Sequence, residues 1–540
     1  MSERLDGRVE AARQATGLRA MLAWSRSRQV GLWRAPARPT LRKVPSPSPS
    51  ERGGADIDQA AIGLRRLRPD LSAGEPTWAW QKWTLVSLLV ALGGAGVAVP
   101  QHALFVLVAV LVLPFSCVVA LRSAALWFTA ADKRRGASAG SVVLIAEAEL
   151  PRYSLLVPLY DEADVVPDLV AALSAIDYPR DRLEVFLIVE AADLATRRAV
   201  SAVTLPSFMT VVIVPDGNPR TKPRALNFAL HCATGDVVVV YDAEDVPEPD
   251  QLRRAAGLLA ASPRIGCVQA RLNVLNADET WLTRQFAIEY TALFDCLLPT
   301  FERLGLPVPL GGTSNHFPRA VLEKVGAWDP YNVTEDADLG IRLARFGLDV
   351  KVVASTTWEE APDNFSSWRN QRTRWLKGWM QTYLVHMRRP LETARDLGWA
   401  RFFGFQVLMG GLILSALVHP WFYVAAAVEV AFGPLQTLHH HALSDVITAL
   451  GLVNLVLGYV TGVALGWAAV VGRGRWKLAV WALTMPIYWL FISFAAYRAL
   501  LQLASAPYKW EKTRHRPRAA FIGQASAAAG TGEPSGQIKV

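Results

Sequence analysis

The chain has 540 residues, 52% of them hydrophobic, and a formal charge of +9; its mean hydropathy of +0.22 is high for a purely soluble protein. Its basic residues fall in the tails and beside apolar runs rather than along one strip that could follow a phosphate backbone, which excludes nucleic acid as a partner. Cys117, Cys232, Cys267 and Cys296 stand far apart, which excludes a disulfide framework or zinc knuckle and makes a reducing cytosol the default for the soluble part.

Residues 1–77 are polar, basic and Pro-rich around 44–50, which predicts an unstructured N-terminal segment and no cleavable signal peptide. Two apolar runs follow, 84–99 and 103–121, separated by Pro100, Gln101 and His102. Each approaches the roughly 20 residues needed to cross a ~30 Å hydrocarbon core, so residues 78–130 are predicted to form a transmembrane hairpin. Lys82 before it and Lys133, Arg134 and Arg135 after it place both ends in the cytosol of an inner (plasma) membrane.

From 145 to 365 short β-branched runs alternate with amphipathic stretches, the pattern of an α/β domain. Residues 154–159, 185–189, 210–214 and 237–241 are the core strand candidates, with helices over 165–176 and 223–232. Their nearly continuous apolar character predicts a parallel sheet, in which ligands bind beyond the carboxyl ends of the strands. From 366 to 392 Trp368, Trp375, Trp379 and His386 recur at near-helical spacing among Arg369, Arg372, Lys377, Arg388 and Arg389, which suits an amphipathic helix at the headgroup boundary.

Residues 400–505 hold three more apolar runs: 402–432, interrupted at His419 and Pro420, 446–471 and 478–503. The basic loop 472–477 and the basic tail 506–540 both belong in the cytosol, and both can be there only if one run is re-entrant or interfacial, near Pro486. Three or four crossings satisfy the pattern. His439, His440 and His441 are adjacent in a short loop, cannot easily all face one ion, and read as loop composition.

Three motifs carry chemistry. Asp242, Ala243, Glu244 and Asp245 (DAED) directly follow the fourth strand, where carboxylates on one tight turn suit a hard cation or, equally, a solvated turn. Thr334, Glu335 and Asp336 (TED) read either as a helix start with its cap and first-turn acids or as a functional pair. In QRTRW, Arg374 could clamp a pyrophosphate and Trp375 stack on a sugar, or both could simply belong to an interfacial helix.

Order adds what the motifs lack singly. A first strand ending in Tyr160, Asp161 and Glu162, then Lys222 in RTKPRALN, then DAED, TED and QRTRW, all bracketed by apolar spans, resembles the processive glycosyltransferases of family 2, which include cellulose, hyaluronan and chitin synthases. The resemblance implies a cytosolic GT-A-like nucleotide-sugar-binding domain of α/β class inserted between transmembrane helices. It implies Mg²⁺ or Mn²⁺ on Asp242 with Glu244 or Asp245, and Asp336 as general base beside Glu335. Tyr160, Glu162, Glu190, Asp193, Lys222, Asp242 and Arg374 would bind the UDP- or GDP-linked donor, and Gln371 and Trp375 the acceptor. Glu190 and Asp193 match the family's base-contacting acids only loosely, and Trp510 and Lys512 are similar to its gating segment. Partners would be the growing polysaccharide, the lipid bilayer and export or regulatory proteins. The activity implied is inverting transfer that polymerises a β-linked polysaccharide and couples synthesis to export. Transfer of a single sugar to a lipid carrier is an alternative, as is a transporter or receptor with an inactive nucleotide-binding domain.

Overall fold

All four predicted strands are present in the computed structural model, which describes residues 52–134, 145–432, 442–512 and 516. β1 (Tyr153–Leu159), β2 (Leu183–Glu190), β3 (Met209–Val214) and β4 (Val237–Val240) pair in parallel in the order β3-β2-β1-β4. Alternate residues enter opposite cores: Leu156, Ile188, Val238 and Val240 on one face, Leu155, Val157, Leu187, Val237 and Val239 on the other. Every side chain of β4 is at most 1% exposed, and burying each such valine contributes roughly 1.5–3 kcal/mol.

The expectation of a parallel sheet holds for only half of it. β5 (Val246–Pro247), β6 (Ile265–Val274), β7 (Asn315–Pro318) and β8 (Asp349–Glu359) extend it to eight strands, with β7 antiparallel to β4 and β6, and β8 parallel to β6. In β6 the polar Gln269 and Asn273 are buried, and each is hydrogen-bonded: Gln269 donates to the Thr313 carbonyl at 3.0 Å and accepts from the Gly311 amide at 2.8 Å, while Asn273 donates to Thr291. Those bonds fix the 311–314 loop beyond the end of β4.

The helices that frame the site and the membrane face are α1 (Arg52–Leu67), α2 (Ala79–Ala98), α3 (Pro100–Arg134), α4 (Lys222–Leu230), α5 (Trp281–Ala292), α6 (Glu335–Arg345), α7 (Phe365–His386), α8 (Gly411–Phe432), α9 (Ala442–Gly472) and α10 (Met485–Ser505). α1 corrects the expectation of an unstructured segment for residues 52–77. Ala60 and Leu64 are buried on α4, where Asn227 donates to the Ala60 carbonyl at 3.1 Å. Asp329 accepts from Ser72 and from the Ala73 amide, and Arg388 donates to the carbonyls of Pro69, Asp70, Ser72 and Glu75. Average polarity hid the short stripe of Ala60, Ala61 and Leu64. Residues 1–51 and the triple histidine lie outside the described residues.

Among the described residues four helices are long and apolar enough to cross a membrane: Phe105–Arg134, Trp399–Val424, Asp445–Gly472 and Trp476–Ser505. Of the two readings of run 402–432, one long kinked span or two short ones, the structure has the single span: α8 continues through His419 and Pro420, and the irregular turn, of π type, lies upstream at Gln406–Gly410. The final apolar helix begins and ends against the α/β domain. At its start Gln285 and Trp281 bond to Thr484 and Arg473 pairs with Asp295; at its end Lys377 donates to the carbonyls of Ala506 and Lys509. Between those points α10 lies along α7.

This covering helix corrects the picture of α7 at a headgroup boundary. Trp368, Arg372, Lys377, His386 and Arg388 are all buried in protein. His386 and Arg342 both meet the buried Asp338 carboxylate, at 3.1 and 2.7 Å. Arg122, one residue beyond the second predicted run, lies within α3 and donates to the Gly458 carbonyl of α9 at 3.1 Å.

Candidate active site

The turn after β4 sorts its three carboxylates by direction. Asp242 and Glu244 line a cavity of ≈ 410 Å³, while Asp245 turns inward to accept from the Asp242 amide at 2.6 Å and from the Thr313 hydroxyl. Burial, with the Asp242 and Glu244 charges beside it, pushes the Asp245 carboxyl well above the usual range. It closes the turn and is 1% exposed, with its other oxygen, Oδ1, buried without a hydrogen-bond partner. Glu244, not Asp245, therefore faces the cavity with Asp242.

Lys222 opens α4 and reaches Asp242 Oδ1 and the Gly312 carbonyl, the latter at 2.8 Å. Although burial opposes the charge, the Asp242 and Glu335 carboxylates hold its ammonium well above the ordinary value. Gly312 is needed where it stands: a Cβ there would lie 3.3 Å from Asp336 Oδ2, so a side chain would crowd the space between DAED and TED.

Glu335 and Asp336 occupy the first turn of α6, and both line the cavity. Burial raises both carboxyls, Glu335 to about 7; the Asp336 charge adds to the rise of Glu335, and Lys222 and Arg374 restrain both. Carboxyls raised by burial at the head of a helix and open to a cavity are candidates for acid–base work near neutral pH. α7 approaches this turn through Gly378, where a Cβ would fall 2.3 Å from Thr334 Oγ1. That close approach brings Gln371, Arg374 and Trp375 into the cavity wall. Arg374 donates to the Val333 carbonyl at 3.3 Å and lies 4.6 Å over the Trp510 ring; Gln371 Oε1 is buried with no hydrogen-bond partner.

Tyr160, Glu162 and Glu190 also line the cavity, but Asp193 does not. Asp193 caps the helix Leu194–Ala202 through the Thr196 amide and accepts from the Asp161 amide at 2.5 Å. Glu190 is held by Arg224 at 2.7 Å, both residues buried, so its carboxylate is already engaged. Lys512 pairs with Glu162 at 2.9 Å and donates to the carbonyls of Tyr160 and Asp161, which draws the chain after α10 over this end of the cavity.

Glu359, the last residue of β8, was not singled out by sequence. It lines the same cavity, its Oε1 is buried without a hydrogen-bond partner, and burial together with Asp245, Glu244 and Asp242 pushes its carboxyl far up. The only signal was an acidic residue at a strand's carboxyl end. Among the described residues no three His, Cys, Asp or Glu side chains already converge on one point that could hold a metal ion. The donor set nevertheless suits a hard divalent cation: oxygen ligands on Asp242 and Glu244, and an orphaned carboxylate oxygen on Glu359.

Residues 151–378 match the family described as "Glycosyltransferase like family 2". This segment is similar to a family 2 glycosyltransferase domain. The chain is 32% identical over 238 residues to the probable glycosyltransferase YdaM of Bacillus subtilis, covering 43% of this chain and 56% of that one. It is 30% identical over 279 residues to the beta-monoglucosyldiacylglycerol synthase of Synechocystis, covering 50% of this chain and 56% of that one. The chain thus spans about half the length of the curated relatives it matches. Among solved structures it is similar to a mannosyltransferase of Pyrobaculum calidifontis in complex with GDP-mannose and Mn²⁺, at 20% identity and a TM-score of 0.49 over 73% of this chain and 98% of that one. The matched segment contains the whole carboxylate cluster, TED, and QRTRW through Gly378.

Proposed function

We propose that the chain is a membrane-embedded, inverting glycosyltransferase that elongates a β-linked polysaccharide from a nucleotide sugar and passes the product into the bilayer. One observation carries this reading: Asp242, Glu244, Lys222, Asp336, Arg374 and Trp375, drawn from the β4 turn and from α4, α6 and α7, line a single cavity walled by helices that rest on apolar spans. Asp336 takes the proton of the acceptor hydroxyl as that oxygen bonds to the anomeric carbon and the bond to the nucleotide diphosphate breaks on the opposite face. Lys222 and Arg374 face the departing charge. Mg²⁺ or Mn²⁺ on Asp242 and Glu244, with Glu359 within the same cavity, would supply further neutralisation of the diphosphate.

Trp375 and Gln371 hold the terminal acceptor sugar, the donor entering from the side of Tyr160, Glu162 and Glu190. The course of the final helix supports a cytosolic domain with three apolar segments after it, of which Trp476–Ser505 lies in the membrane plane, since both its flanks touch that domain. A lipid-linked acceptor is the second reading. It is favoured by the apolar wall that Leu293, Phe294 and Leu310 give the cavity and by the likeness to the diacylglycerol-glycosylating relative. Membranes containing the protein, incubated with labelled UDP-glucose, UDP-N-acetylglucosamine and GDP-mannose, should yield a high-molecular-weight product. A product carrying one sugar on lipid would establish the second reading, and no transfer from any donor would overturn both.

A further inference from the structure

Trp375 does not stand in the cavity wall unaided. The guanidinium of Arg372, one helical turn earlier, lies 4.6 Å from its ring centroid, and Tyr290 stacks nearby at 5.9 Å with 14° between the planes. Arg372 is not part of the cavity lining and is only 6% exposed. Glu289 of α5 fixes it, with Nη1 donating to Oε1 at 3.0 Å and Nη2 lying 2.6 Å from Oε2. Glu289 is fixed in turn by the Tyr488 hydroxyl of α10 at 2.9 Å, which itself accepts from Trp368 Nε1 at 3.0 Å. Tyr488 and Trp368 are fully buried.

A lysine could neutralise Glu289 equally well, but a guanidinium can present two nitrogens to a carboxylate while its carbon stands over aromatic rings, here those of Trp375 and Phe286. A ring that carries a sugar must hold its plane, and an indole has a broad torsional well unless packing narrows it. We propose that Arg372, fixed by Glu289 and Tyr488, is the positioning residue that holds the Trp375 ring at the acceptor end of the cavity, so that the final apolar helix sets the acceptor subsite. This rests on the reading of Trp375 as the acceptor platform.

The discriminating quantity is the partition of donor between transfer and water, measured on the full chain in membranes as labelled sugar in product against free labelled sugar. The donor is whichever of UDP-glucose, UDP-N-acetylglucosamine and GDP-mannose the protein turns over. Arg372→Lys should lower that ratio about fivefold and Tyr488→Phe about threefold, with the donor KM unchanged. Both substitutions keep the buried charge balance, and melting temperatures report how much of each variant stays folded once Tyr488→Phe leaves the Trp368 indole N–H without its acceptor. A variant that loses transfer and hydrolysis in equal proportion has merely lost folded enzyme, and that outcome in both variants overturns the inference. Trp375→Ala serves as the reference. If it shifts the ratio while Arg372→Lys and Tyr488→Phe do not, the positioning role is overturned alone; if Trp375→Ala leaves the ratio unchanged, the acceptor reading falls and the inference with it.

Discussion

The two ends of the cavity are built by different means. At the polar end each carboxylate leaves from the end of a strand or the first turn of a helix, and several meet a cation: Asp242 meets Lys222, Glu190 meets Arg224, and Glu162 meets Lys512. At the other end the groups are aromatic rings on α5 and α7, and these helices lean on α9 and α10, with α5 also resting on β6. Hydrogen-bonded backbone places charge within tenths of an ångström, whereas a ring is placed by what packs around it. The polar end should therefore respond to single substitutions through chemistry, and the aromatic end through geometry.

The sharpest way to break that division is Asp336→Asn. It should reduce sugar transfer by roughly 10²- to 10⁴-fold, the usual worth of a positioned base, while nucleotide-sugar binding measured by calorimetry persists. Normal product yield from the purified variant would remove Asp336 from the chemistry. Next in size is the contrast within DAED. Asp242→Asn should weaken Mg²⁺- or Mn²⁺-dependent donor binding by about tenfold or more, whereas Asp245→Asn should leave it nearly unchanged and lower the melting temperature instead. An equal loss of metal dependence in both would mean that Asp245 turns outward to the cation.

How much of this was legible follows the same division. β1 to β4 were readable because buried parallel strands are continuous apolar runs, and the DAED and TED acids because they sit where such strands and helices end. β6 was not, since Gln269 and Asn273 break its apolar pattern for the sake of bonds to the 311–314 loop and to α5, and Arg271 interrupts it again. Glu359 is one acid among many until β8 is paired with β6 and β5. The role of Arg372 needs a glutamate 83 residues away and a tyrosine on a helix beyond the domain. Composition misjudged residues 52–77, where a few small apolar residues suffice to dock α1.

Gly378 joins the two ends, and Gly378→Ala tests whether their spacing matters. The added methyl would sit 2.3 Å from Thr334 Oγ1, so α6 and α7 must part. Overpacking of this kind costs about 1–3 kcal/mol, which should appear in thermal unfolding. Because the same shift separates Asp336 from Trp375, transfer should fall further than the folded fraction does. A variant that loses stability but keeps full specific activity would show that the two ends tolerate independent movement.

The smallest effect expected is also the one whose sign is most informative. Glu335, at about 7 in the fold against an ordinary 4.5, binds a proton between those pH values that the unfolded chain does not. Folding stability from this group is therefore fully present below pH 4.5 and declines as pH rises towards 7. Glu335→Gln should raise stability at pH 8 by on the order of 1 kcal/mol and make no difference near pH 4, as read from melting temperatures across that range. Transfer should show an acid limb where Asp336, whose carboxyl burial raises above the usual range, takes up its proton, falling about tenfold per pH unit. If Glu335→Gln moves that limb to lower pH while transfer survives, the proton belongs to the Glu335–Asp336 pair and Asp336 works as the base. If the limb stays in place, it arises from a group elsewhere in the cavity, with Glu359, whose carboxyl is also pushed up by burial and its acidic neighbours, the next to substitute.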